Sequence, residues 1–314
     1  MAHIPDGFLS LPVAAGTLAT AAALTGIAAR QTRASLDDRA APTLGLATAA
    51  VFAAQAVNFP VAAGTSGHLL GGTLVAVAFG PWAGFLVMTA VVIAQALIFA
   101  DGGLTALGAN VVNIAGMGAL AAYGIYRVLI FLMGRGARRR GLAAGAAAYL
   151  ATILTGTAAG LELGASGVAP IRLSLGAMFT VHAAIGLAEA GITGSVVWAL
   201  ARKRPGLLFE LRRGRLPQPA RATVLAALGL VAILAGGLTI IASAAPDSLE
   251  RVAMDLGFAD LASERTGAPL QGYRSWLPDP AGTALAVVAG VLLLFAGIAA
   301  IVRGLARVRQ PQES

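Results

Sequence analysis

A chain of 314 residues that is 58% apolar and 11% charged, with a mean hydropathy of +0.81, lies outside the range of soluble domains. Its net charge of +8 reads as a set of loop arginines that orient a membrane protein, and no nucleic acid is expected as a partner. The lack of cysteine excludes disulfides, thiolate metal sites and iron–sulfur clusters, and leaves three histidines, His3, His68 and His182, to be weighed one by one.

The chain opens "MAHIPDGFLS". Secretory signals begin with lysine or arginine, whereas the first basic residue here is Arg30, so the opening is expected to stay in the mature protein. A terminal amine, the amide nitrogens after it and a nearby imidazole can enclose one divalent ion in five- and six-membered chelate rings. Deprotonated amides are strong-field donors, which impose planar geometry and select Ni(II) or Cu(II), with Co(II) also possible. If Met1 stays, the amine, two amides and the His3 ring supply four nitrogens. If Met1 is removed, Ala2 supplies the amine and His3 supplies amide and imidazole, and a fourth donor must come from elsewhere. The "PDG" that follows turns the chain sharply.

Spans of about 20 apolar residues are predicted at 9–29, 40–58, 68–80, 81–100, 104–133, 141–163, 173–200, 222–244 and 281–302. Nine crossings put the basic loops 30–39, 135–140 and 201–221 and the tail on one side. Only Arg172, Arg251, Arg265 and Arg274 remain on the other. That skew predicts an N-terminus outside and a C-terminus in the cytoplasm of a multi-pass cell inner-membrane protein. The third span is short and is expected to be tilted or partly broken, which is tolerated where protein covers its backbone.

Three interior stretches carry the polar residues of interest. In "GTSGHLLGG" (64–72), His68 sits where an outside loop enters a span, on the same face as the N-terminus, and can be the missing fourth nitrogen. "GANVVNIAGMG" (108–118) puts Asn110 and Asn113 near an outside helix start, where they can satisfy backbone groups or line a cavity. In "HAAIGLAEAGITG" (182–194), His182 and Glu189 are two helical turns apart on one face, as supporting groups, as part of an ion path or as a hydrogen-bonded pair tying helices together. Gln55, Asn58, Gln95 and Glu162 are further polar residues within spans. No "GxxxxGK[ST]" occurs, so no ATP site of its own is expected.

Composition divides the chain at the basic stretch 206–221. Before it lies a membrane unit, 1–205. After it comes a module, 222–314, with two transmembrane helices around an outside segment, 245–279, in which a short amphipathic helix is predicted near 247–262. The fold class is thus all-α, a polytopic bundle of about seven helices plus two.

Together, "HIPDGFLS", "GTSGHLLGG", "GANVVNIAGMG" and "HAAIGLAEAGITG" resemble the substrate-specific membrane component of energy-coupling-factor nickel/cobalt transporters, over about 1–205. The tail, with "APDSLERVA" between two helices, is similar to the small two-helix accessory subunit whose marker reads Pro-Asp-Gly-Leu-Glu; Ser248 stands where that marker has glycine. The resemblance implies a fusion of the two. It also implies a Ni2+ or Co2+ substrate held by the mature N-terminal amine, the amide and imidazole of His3, and His68. In the family the histidine directly follows the initiator methionine, so removal of Met1, with Ala2 as the amine, restores the spacing. The implied partners are a transmembrane coupling subunit and cytoplasmic ATPase subunits, with anionic lipid at the basic loops. The "HIPDGF" opening resembles the nickel branch, with cobalt the alternative. Two other readings compete: an intramembrane metal-dependent enzyme using His68, His182 and Glu189, and an ion channel with Glu162, Glu189 and His182 as a relay.

Overall fold

The computed structural model describes residues 3–33, 40–61, 65–212, 218–263 and 266–307. In chain order its helices are α1 (Leu11–Arg33), α2 (Ala40–Gln55), α3 (Gly72–Phe79), α4 (Pro81–Phe99), α5 (Leu107–Met133), α6 (Ala137–Ala165), α7 (Ile171–Lys203), α8 (Arg221–Thr239), α9 (Ser248–Leu256) and α10 (Ala281–Arg307). Seven of these, α1, α4, α5, α6, α7, α8 and α10, are long and apolar enough to cross a membrane. The chain is an all-α polytopic membrane protein. Leu173, Phe179, Leu187 and Trp198 on α7, and Leu225, Leu230 and Ile233 on α8, are exposed, as suits surfaces solvated by lipid tails.

The structure corrects the third predicted span. Residues 68–71 are not helical, and α3 has only eight residues, about 12 Å at the α-helical rise, too short to cross hydrocarbon. Gly80, with φ 100°, and Pro81 then break the chain between α3 and α4. The second span is also shorter than expected: α2 stops at Gln55, and the chain makes a two-residue antiparallel pairing of β1 (Phe59–Pro60) with β2 (Ser66–Gly67) before reaching His68. This irregular backbone is tolerated because protein covers it. Ser66, Gly67 and His68 are all buried.

The two ends of α4 mark the two ends of the bundle. At one end, a Cβ on Gly80 would meet the ring of Phe209, and the Arg212 guanidinium donates to the Ala78 carbonyl, so the stretch after α7 folds back against the α3–α4 break. Glu210 there accepts from Arg140 Nε at 2.7 Å and from Tyr126 OH at 2.8 Å. Residues 213–217 of the predicted basic linker lie outside the described residues. The other end of α4 carries Gln95 and leads to Asp101.

The C-terminal helices α8 and α10 pack on each other and on α2. Close approach there uses small residues: a Cβ on Gly45 of α2 would meet the Phe295 carbonyl at 2.8 Å, and one on Gly290 of α10 would meet the Phe52 ring. Between them, the predicted amphipathic helix near 247–262 is the shorter α9. Its N-terminus is a capping box in which Asp247 accepts from the Glu250 amide and Glu250 accepts from the Asp247 amide. "PDSLE" therefore starts a helix by side-chain chemistry that needs no glycine at position 248.

Candidate metal centre

From position 3 to Phe8 the opening segment is pinned. Asn110, at the start of α5, grips Ile4 from both sides: its Oδ1 accepts from the Ile4 amide at 2.8 Å and its Nδ2 donates to the Ile4 carbonyl at 3.0 Å. That carbonyl also accepts from the Gly103 amide at 2.9 Å. Asp6 accepts from the amide and hydroxyl of Thr105 at 2.7 and 2.6 Å, and its carbonyl accepts from the Ser263 amide at 2.8 Å. Ile4 and Phe8 are buried, and the Phe8 ring meets Phe258 edge-on at 5.1 Å. The expected turn at "PDG" is present, with Gly7 at φ 94°.

This clamping brings His3 beside His68. Their rings lie 5.5 Å apart, inclined by 22°, and the residues are only 7% and 5% exposed. His3 Nε2 is 3.2 Å from Gln95 Oε1, and Nδ1 is 3.1 Å from Asp101 Oδ1. Gln95 opens a π-helical turn, Gln95–Phe99, that ends at Ala100 with φ 53°, and this local unwinding throws Asp101 back toward the histidines. Gly102, at φ 95°, lets the next turn pass close by: a Cβ there would meet Asn110 Nδ2 at 2.9 Å and His3 Cβ at 3.4 Å. Burial pushes the Asp101 carboxyl up, but the positive charge of His3 and hydrogen bonds from His3 and Tyr273 outweigh it and hold the group well below the usual carboxylate range.

His68 is oriented by its own loop. Its Nδ1 is 3.1 Å from the Leu69 carbonyl. A carbonyl only accepts, so that contact puts the proton on Nδ1 and leaves the Nε2 lone pair available to a metal. Burial, and the positive charge of neighbours that include His3, lower the His68 pKa well below the ordinary imidazole value. The loop is anchored by Glu189 of α7, whose two oxygens accept from the amides of Leu70 and Gly71 at 2.8 and 2.9 Å, and by Gln55, whose Nε2 donates to the Leu70 carbonyl at 2.7 Å.

The other sequence candidates separate. His182, two turns before Glu189 on α7, donates from Nδ1 to the Met178 carbonyl at 2.8 Å, one turn back, with its ring in the space left by Gly156 of α6. Asn113 donates to Glu162 at 2.6 Å and so ties α5 to α6. Met1 and Ala2 lie outside the described residues. Among the described residues no three His, Asp or Glu side chains form a cluster able to hold a metal. Sequence reasoning missed Asp101 entirely. The available signal was an acidic residue before "GG" at the end of a span, but nothing in that local pattern shows that a π turn aims it at position 3.

The profile of a family described as "cobalt uptake substrate-specific transmembrane region" matches residues 3–207, nearly two thirds of the chain. The chain belongs to that family. It is 34% identical to a putative fused nickel transport protein of Archaeoglobus fulgidus over 94% of this chain and 96% of that one. It is 31% identical to a fused nickel transport protein of Rhodobacter capsulatus over the same shares, 94% and 96%. The crystal structure of a truncated transition-metal transporter superposes with a TM-score of 0.58 at 31% identity, covering 64% of this chain and 98% of that chain. The chain is thus a membrane component for nickel or cobalt transport, not an enzyme, with an accessory module fused behind its substrate-specific part.

Proposed function

We propose that the chain is the substrate-binding membrane component of an ATP-driven, energy-coupling-factor uptake system for nickel. Nickel is held by the mature N-terminal amine, the amide and imidazole of His3, and the imidazole of His68. The observation that carries this reading is the stacked, buried pair of His3 and His68, 65 positions apart in sequence and 5.5 Å apart in space. Two imidazoles without a third side-chain ligand suit a site completed by backbone nitrogen, and a planar four-nitrogen set favours Ni(II) over labile, often six-coordinate Co(II). With Met1 removed, Ala2 supplies the amine and His68 is the fourth nitrogen.

The ring nitrogens divide their work. Only Nδ1 of His3 closes a six-membered ring with its own amide, so on binding it exchanges Asp101 for the metal, while Nε2–H stays on Gln95 Oε1. Outer hydrogen bonds of that kind fix a ligating imidazole and raise its basicity. Nε2 of His68 faces the cation with Nδ1–H on the Leu69 carbonyl. Asn110 and Glu189 hold the backbone on which the two histidines ride.

The N-terminus and this centre are placed outside, and the end carrying Phe209, Arg212 and Glu210 in the cytoplasm of an inner-membrane protein, where the basic loops meet anionic lipid. A transmembrane coupling subunit and cytoplasmic ATPase subunits supply the energy. The domain reading stands with this proposal: 1–205 binds metal, 206–221 links, and 222–314 is the accessory module. Cobalt is the second reading, favoured by the family description. Equilibrium competition between Ni2+ and Co2+ on the purified full chain tests the choice. A tighter fit to nickel with the absorption of a planar complex is expected, and a preference for cobalt overturns it.

A further inference from the structure

The C-terminal module does more than pack against the bundle. Its outside segment touches the elements that carry the two histidines. The Ser243 amide donates to the Asn58 carbonyl at 2.9 Å and the Ser66 amide to the Pro246 carbonyl at 2.8 Å, bracketing the hairpin before His68. The Leu270 amide donates to the Ile98 carbonyl at 2.9 Å, and the Tyr273 ring stacks on Phe99 with centroids 4.7 Å apart, at the π turn before Asp101. The Tyr273 hydroxyl then donates to Asp101 Oδ2 at 2.5 Å, while the other oxygen of the same carboxylate faces His3 Nδ1 at 3.1 Å.

The backbone singles out the same place. Among the described residues only two non-glycine residues have positive φ, Ala100 at 53° and Tyr273 at 58°. Both belong to this one contact: Ala100 presents the carboxylate, and Tyr273 presents the hydroxyl. Left-handed backbone costs a residue with a Cβ free energy and persists where the surroundings impose it. The Tyr273 ring is half-buried, and its hydroxyl is used on the carboxylate.

We infer that Tyr273 is a positioning residue for the metal centre: it holds the Asp101 carboxylate so that His3 Nδ1 is turned for chelation and, once Nδ1 has exchanged it for the metal, the carboxylate stays alongside as the counter-charge of the bound cation. The phenol fixes one carboxylate oxygen, so the other is presented to the imidazole in a single direction. The ring then reaches the cation already oriented, with Nε2 on Gln95. This inference rests on the nickel-binding reading and assigns the accessory module a side chain through which it acts on that site.

The test is a double-mutant cycle on the purified full chain, with Ni2+ affinity read by competition against a chelator and thermal unfolding recorded in parallel. Tyr273→Phe keeps the stacking and removes only the hydroxyl. It is expected to weaken nickel binding about tenfold, the low end for groups that orient a ligand, with little change in the unfolding midpoint. In an Asp101→Asn background the same substitution is expected to change affinity less than about twofold, because groups acting in series are not additive. Equal losses in both backgrounds, or no loss in either, would overturn the inference. His68→Ala is measured beside them. If it loses nickel while Tyr273→Phe does not, the positioning role alone fails; if it keeps wild-type affinity, the binding site itself is wrong and the inference falls with it.

Discussion

The molecule has two buried polar centres at opposite ends of α4, and they are built on different principles. At the Glu210 end the carboxylate is paired with a cation: it accepts from Arg140 at 2.7 Å and Tyr126 at 2.8 Å. At the His3 end, two imidazoles with little exposure lie stacked, and one carboxylate is shared between His3 and Tyr273. A satisfied ion pair ties elements together, whereas neighbouring nitrogen donors are a poor way to stabilise a fold and a good way to hold a cation. The comparison teaches that burial and charge alone do not mark a functional centre. What sets the proposed metal centre apart is a pair of neighbouring imidazoles with a single shared carboxylate.

Substitutions break or sharpen that contrast. His3→Ala removes the imidazole and opens the chelate, and nickel binding by the purified chain is expected to vanish. His68→Ala is expected to weaken binding by roughly 100-fold or more, beyond the usual cost of losing a mere supporting group. Glu189→Gln leaves one oxygen to do the work of two on the amides of Leu70 and Gly71, and a fall of about tenfold in nickel affinity is expected on the scale of outer contacts. Asn110→Ala removes the acceptor of the Ile4 amide, while the Ile4 carbonyl keeps the Gly103 amide, and should cost about as much, ~1–3 kcal/mol if the Ile4 amide is left buried and unpaired. At the other end, Glu210→Ala strands the Arg140 charge. It is expected to lower thermal stability by about 3–5 kcal/mol while leaving nickel affinity within about twofold. A nickel-binding loss there, read in the same titration, would erase the distinction between the two centres.

Acidity sharpens the same point. Burial lowers the His68 pKa, so a proton competes with metal for that ring only well below the ordinary imidazole value. Nickel affinity should still fall from neutral to about pH 5, because the terminal amine and the amide must also lose protons. His68 is expected to contribute little to that fall, and an affinity flat over this range would contradict a nitrogen-terminal chelate.

Much of this was legible in the sequence because it depends on local pattern. Apolar runs of membrane length gave the seven long helices, and the motifs around His3 and His68 located the two rings that the fold brings together. The short α3 was hidden because residues 68–80 are apolar enough for a span; hydropathy does not record that Gly71, at φ 74°, lets the loop backbone run unwound as far as α3. Asp101 and Tyr273 were hidden for another reason. They lie 172 residues apart, and their meeting depends on a π turn and on left-handed backbone at Ala100 and Tyr273, neither of which the residue types announce. Asn110 was legible as an amide able to satisfy backbone groups, but not as the clamp on Ile4, a contact 106 positions away.

The central claim is that a nitrogen at the very front of the mature chain is a ligand. Its most direct test is to add a few residues ahead of position 1, in a form that is not processed away, and to measure Ni2+ binding and, with partner subunits present, radioactive nickel uptake. The added residues turn the amine into an amide and carry the new terminus away from His3, so both signals should be lost while the protein remains folded. Binding and uptake at the level of the unextended chain would contradict the account.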